Sequence, residues 1–174
     1  MASIIGVQEL QHTNGTSAIT IDSSGRILTP ARPAWSVTTG TSQQITTAGT
    51  VQIVTFDSET VDVGGHFDLA NNKYVVPVSG LYQVNVLINY TGNSDSVRYI
   101  STFLYLGSSA IIESVTHMSD ETNNGDYATG VICGVYDLTA NDELTVRCTC
   151  ALSGQVEVNG AQVGMPQFSG FLVG

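Results

Sequence analysis

The chain has 174 residues, enough for one compact domain with a short extension, and its 42% hydrophobic and 11% charged content excludes a disordered polymer. Five Lys and Arg against fifteen Asp and Glu give a net charge of −10, which excludes a nucleic-acid partner, because a phosphate backbone needs clustered cations. No apolar run approaches the ~20 residues of a membrane helix, so no membrane insertion is expected. The opening MASIIGVQEL has no basic residue and reads as no signal peptide, so a secretory route is not expected either.

Residues 1–32 are dense in Thr, Ser, Asn and Gly, with isolated hydrophobes at Ile4, Ile5, Val7, Leu10, Ile19, Ile21, Ile27 and Leu28. Ser23-Ser24-Gly25 is a turn between two brief β runs, 18–22 and 26–29. Such a segment cannot bury a core by itself. It reads as an assembly arm that orders against sister subunits or a larger particle. Arg32-Pro33-Ala34-Trp35 then opens a second unit, 33–174.

Beyond Pro33, alternation of polar and apolar residues replaces any helical period. The expected strands are 34–38, 51–56, 59–63, 74–77, 81–91, 97–106, 110–118, 127–137, 143–151, 155–158 and 167–173. In 81–90, Tyr82, Val84, Val86, Ile88 and Tyr90 form one wholly apolar face, which should meet the core. Pro77 fixes φ and lacks an N–H, and Gly80 reaches angles other residues avoid, so the chain bends between them. So many short strands without helices give an all-β fold, a jelly-roll sandwich of two antiparallel sheets with an extended N-terminal β arm.

Three segments carry a family resemblance. Tyr74, Pro77, Gly80, Tyr82 and Val84 follow a Phe-x-x-Pro-x-x-Gly-x-Tyr-x-Phe pattern, with valine in the final aromatic position. The run Tyr136-Asp137-Leu138-Thr139-Ala140-Asn141-Asp142-Glu143-Leu144-Thr145-Val146 follows an L-x-x-G-D-x-V-x-V pattern, with Asn141 for glycine; Asn tolerates left-handed angles better than most residues. The chain closes on Phe168-Ser169-Gly170-Phe171-Leu172-Val173. In this order they resemble the globular head of the complement and tumour-necrosis-factor superfamily, over roughly residues 33–174. The resemblance implies a homotrimeric jelly roll, with Phe168 and Phe171 near the core or the threefold axis. The string from Gln11 to Arg26, before its Pro-Ala-aromatic entry, looks like the leader of many marine bacteriophage structural proteins. That likeness implies a virion protein assembled in the host cytoplasm, with residues 1–32 binding other virion proteins.

No G-x-S-x-G elbow and no H-E-x-x-H pair occurs, and His12, His66 and His117 are scattered, which fits surface or interface positions. Cys133, Cys148 and Cys150 are too odd in number for a disulfide framework and read as buried thiols; Cys148 and Cys150 share a face with Leu144 and Val146. Loops 92–96 and 119–126 are long and polar. Asn93, Asp95, Asp120, Glu121, Asn123, Asn124, Asp126 and Tyr127 are the candidate recognition residues, since amides and carboxylates hydrogen-bond sugar hydroxyls and Tyr90, Tyr99 and Tyr127 offer faces for stacking. The same loops read equally as solvated turns. Calcium is a further option for 120–126, although the spacing is not that of an EF-hand loop, and no other cofactor is implied. The reading is a non-enzymatic trimeric knob or fibre head on a phage, contacting a host glycan or protein. The alternative is a capsid decoration protein that reads no receptor. An enzyme would need paired carboxylates across a cleft, and none is visible.

Overall fold

A computed structural model describes residues 6–92, 99–117, 126–151, 156–160 and 166–174, with the backbone alone at Asp126. All strand pairings among the described residues are antiparallel, and none of those residues is helical. The alternating sequence accounts for this: it offers strands one apolar face each and offers helices nothing.

The arm is a meander of β1 (Glu9–Gln11), β2 (Ser17–Ile21) and β3 (Ile27–Leu28). Its first turn closes through His12 N–H to the Thr16 carbonyl at 2.8 Å, with Gly15 at φ 87°. Its second turn is the one expected at 23–25. Asp22 Oδ1 accepts the Ser24 and Arg26 N–H groups, and Oδ2 accepts Arg26 Nε at 2.7 Å. These bonds, the Arg26 backbone N–H first, hold the Asp22 carboxyl below its ordinary range. Strand β1 was not expected, because three residues leave no readable alternation.

The body is a two-sheet sandwich. One sheet runs β5 (Gln43–Gln44), β15 (Val156–Val158), β10 (Gly80–Gly92), β16 (Gln167–Leu172), β4 (Ala34–Thr38) and β7 (Ser58–Asp62), with β13 (Asp126–Leu138) along the other edge of β10. The facing sheet runs β12 (Ser109–His117), β11 (Tyr99–Leu106), β14 (Glu143–Cys150), β9 (Lys73–Val75) and β8 (Phe67–Asp68), with β6 (Gln52–Ile53) on β14. The run expected at 51–56 is thus strand only over two residues. β5 and β8 are also two-residue strands, set by their partners rather than by their own pattern.

The core forms where the sheets face each other. Tyr82, Val84, Val86, Ile88 and Tyr90 are all buried, as their alternation requires. Trp35 stacks on Tyr74 with ring centroids 3.7 Å apart, and Phe168 meets the Trp35 ring edge-on at 5.5 Å. The three motif segments converge around this cluster. Tyr82 Oη donates to the Val78 carbonyl at 2.8 Å, tying the Pro77–Gly80 corner to the strand that leaves it. Ser79 Oγ accepts the Ala140 N–H at 2.9 Å, docking the second motif on that corner. Asn141, at φ 74°, takes the left-handed conformation for which it stands in place of glycine. Gly170 lies under Trp35: a Cβ there would fall 2.3 Å from the ring. At Gly80 a Cβ would lie 3.0 Å from the Gly174 carbonyl oxygen, a tight approach to backbone at the corner.

Candidate interaction surfaces

The roots of the two polar loops lie side by side. Gly92, the last residue of β10, pairs with Asp126, the first of β13. Tyr99, which opens β11, pairs with His117, which closes β12. The topology therefore brings the roots of loops 92–96 and 119–126 to one end of the body. Asn93, Asp95, Asp120, Glu121, Asn123 and Asn124 lie outside the described residues, as does the Asp126 side chain, and so does the calcium option on 120–126. Tyr127 is 66% exposed and Tyr99 is exposed, so both rings are open for contact. Tyr90 is not. It is fully buried, with its hydroxyl 2.7 Å from Thr102 Oγ1, because position 90 continues the inward face of β10. A stacking role for Tyr90 is ruled out by that register.

The cysteines divide by face. Cys148 and Cys150 are buried, in line with their alternation with Leu144 and Val146. Burial pushes the Cys148 thiol up to about 12, and it pushes the Tyr90 hydroxyl up as well. Cys133 is exposed and corrects the expectation of a buried thiol. It pairs with Asn85 on the outward face, whereas its neighbour Ile132 pairs with Val86 and points into the core. No group of three or more His, Cys, Asp or Glu side chains able to hold a metal occurs among the described residues. No helix there is long and apolar enough to cross a membrane.

The sequence reading passed over one surface. The inward residues of β13 include Ala128, Gly130, Ile132 and Gly134; a Cβ at Gly130 would collide with Thr102 of the facing sheet. Its outward residues Tyr127, Val131 and Val135 are 66%, 53% and 55% exposed. Next to them on the same face, Leu87 pairs with Val131, and Gln83 lies between Val135 and Phe171. Leu81, Phe171 and Val173 are exposed in the same region. Phe168 enters the core and Phe171 points outward, as successive odd and even strand positions must. The outward Tyr127, Val131 and Val135 of β13 were the available signal: a strand with one solvated face should be polar there, as β10 largely is at Gln83, Asn85 and Asn89.

The C1q domain family matches residues 34–173. The chain belongs to the C1q-domain family. The globular domain of zebrafish complement 1qA protein is a solved structure of the same fold, at 16% identity and TM-score 0.58, covering 82% of this chain and 98% of that one. No curated protein matches the sequence. The C1q domain is typically a non-enzymatic binding or structural head, commonly assembled as a homotrimer. In this C1q domain, the corner at 77–80, the turn at 139–142 and the closing strand form the convergent aromatic core described above, and Leu81, Tyr127, Val131, Val135 and Phe171 stand exposed on the outward face of the sheet.

Proposed function

We propose that this protein is a non-enzymatic homotrimeric head of a bacteriophage particle, held by residues 1–32 and presenting the loops rooted at Gly92 and Asp126 to a host surface. The carrying observation is β13, whose outward Val131 and Val135 are more than half exposed on a sheet already buried on its other side. An apolar area of this kind on a soluble head is best accounted for by a second copy of the chain. The commonly trimeric C1q domain supports threefold closure. The phage setting rests on the leader string from Gln11 to Arg26 and its Pro33-Ala34-Trp35 entry. Residues 1–32 are the anchor to other virion proteins in this reading, and residues 33–174 are the head.

The test is immunolabelling of intact particles, followed by replacement of 120–126 with a Gly-Ser linker. Label at the tail tip and lost adsorption with an intact trimer are the expected results. Label spread over the capsid, with unchanged adsorption and heat-sensitive capsids when the protein is removed, would make it a decoration protein. Absence from particles would remove the virion reading.

A further inference from the structure

The arm is a sheet without a second layer. Cross-strand partners share a face, and Leu10 pairs with Ile19 while Ile21 pairs with Ile27. Since Ile19 and Ile21 are two apart on β2, all four aliphatic side chains stand on one side of the meander. Leu10, Ile21 and Ile27 are 54%, 37% and 69% exposed, and Ile19 is half-buried. The opposite side carries Glu9, Ala18, Thr20 and Leu28. A sheet that is apolar on one face must bury it against another element. Among the described residues, the hydrogen bonds of 6–28 stay within that stretch, so none of those joins it to the head.

The tether decides the occupant. Residues 29–33 join β3 to β4 and span at most about 17 Å when extended. At the head end they are fixed, since the Leu172 N–H donates to the Pro33 carbonyl at 3.0 Å and Ala34 pairs with Phe171. In a trimeric head, three such anchor points recur around one axis, and each arm sheet is confined near its two sisters. Short tethers of this kind create effective concentrations in the millimolar range. A small apolar contact that would fail between free chains is then sufficient. From this we infer that the three arm sheets pack together through Leu10, Ile19, Ile21 and Ile27, forming a three-sided stem continuous with the head. The occupant of each apolar face is the same face of the sister chains. This inference rests on the trimeric reading of the head.

The experiment is amide hydrogen exchange by mass spectrometry on the full-length protein, with sedimentation run in parallel on the same samples. In the wild-type trimer, the amides of β2 should exchange slowly. Ile27→Asp should speed their exchange at least tenfold while the head remains a trimer. Leu28→Asp, one residue on and facing the other way, should leave it unchanged. Fast exchange of β2 in a wild-type trimer would overturn the stem alone, and so would equal effects of the two substitutions. Protection that appears only when the protein is bound to particles would also overturn it, naming a particle protein as the occupant. A wild-type monomer would remove the trimeric reading and the stem together.

Discussion

The arm sheet and the head sheets obey the same alternation, yet they differ in what lies across from them. In the head, β10 meets the facing sheet through Tyr82, Val84, Val86, Ile88 and Tyr90, and a continuous core joins these to Trp35, Tyr74 and Phe168. In the arm, Leu10, Ile21 and Ile27 meet cross-strand partners within one layer and stay exposed on the face above it. Turn chemistry is equally well formed in both: Asp22 gathers the Arg26 turn as Asp142 gathers the Thr139 N–H at 2.8 Å. Hydrogen bonds fix the path of a strand. Burial decides whether that path is stable by itself.

Substitutions should separate the two regions. The largest effect is expected in the shared aromatic core, where Tyr82 is fully buried and donates to Val78. Tyr82→Ala should cost about 3–5 kcal/mol in denaturant unfolding. A smaller loss is expected at Gly170, where a methyl group would press on Trp35 and on the Gln83 carbonyl. Gly170→Ala should cost about 1–3 kcal/mol, because a packed core resists insertion. Asn141→Ala should cost about 1–2 kcal/mol through its left-handed backbone, and Asn141→Gly should not. An unchanged midpoint for the alanine variant would show that the turn relaxes.

Alkali should act on the head alone. The Cys148 thiol ordinarily titrates near 9.0 and is pushed up to about 12 by burial. Its folded value lies above its unfolded value, so its contribution to stability is complete below pH 9 and is lost as pH rises toward 12. The denaturation midpoint should therefore fall as pH rises above 9. The smallest effect expected on the fold of the head is none: deleting residues 1–32 should leave its β spectrum unchanged. Loss of that spectrum would mean that the head needs the arm to fold.

Much of the head was legible because its decisive features are local. Pro77 and Gly80 announce a corner, Asn141 announces a left-handed turn, and five alternate apolar residues in β10 announce an inward face. The short strands β1, β5 and β8 were not legible, because two or three residues show no period of their own and take strand form only by pairing, β1 with β2, β8 with β9 and β5 with the distant β15. The exposure of Cys133 was not legible, because β13 carries apolar residues on both faces and periodicity alone does not say which face meets the core. Tyr90 was placed both on the apolar face and at a loop edge; the register resolves this in favour of the core. The two polar loops are legible in the sequence, and the Gly92–Asp126 and Tyr99–His117 pairs set their roots side by side.

The central claim is that the outward face of β13 is an interface between copies of this chain. Sedimentation equilibrium of the wild type and of Val131→Asp/Val135→Asp tests it most directly. Both positions are more than half exposed in the single chain, so the substitutions spare its core. The account predicts a wild-type mass three times the 18.3 kDa of the chain, and a double variant that keeps its β spectrum and sediments as a monomer. A folded wild-type monomer, or a double variant that remains a trimer, would contradict it.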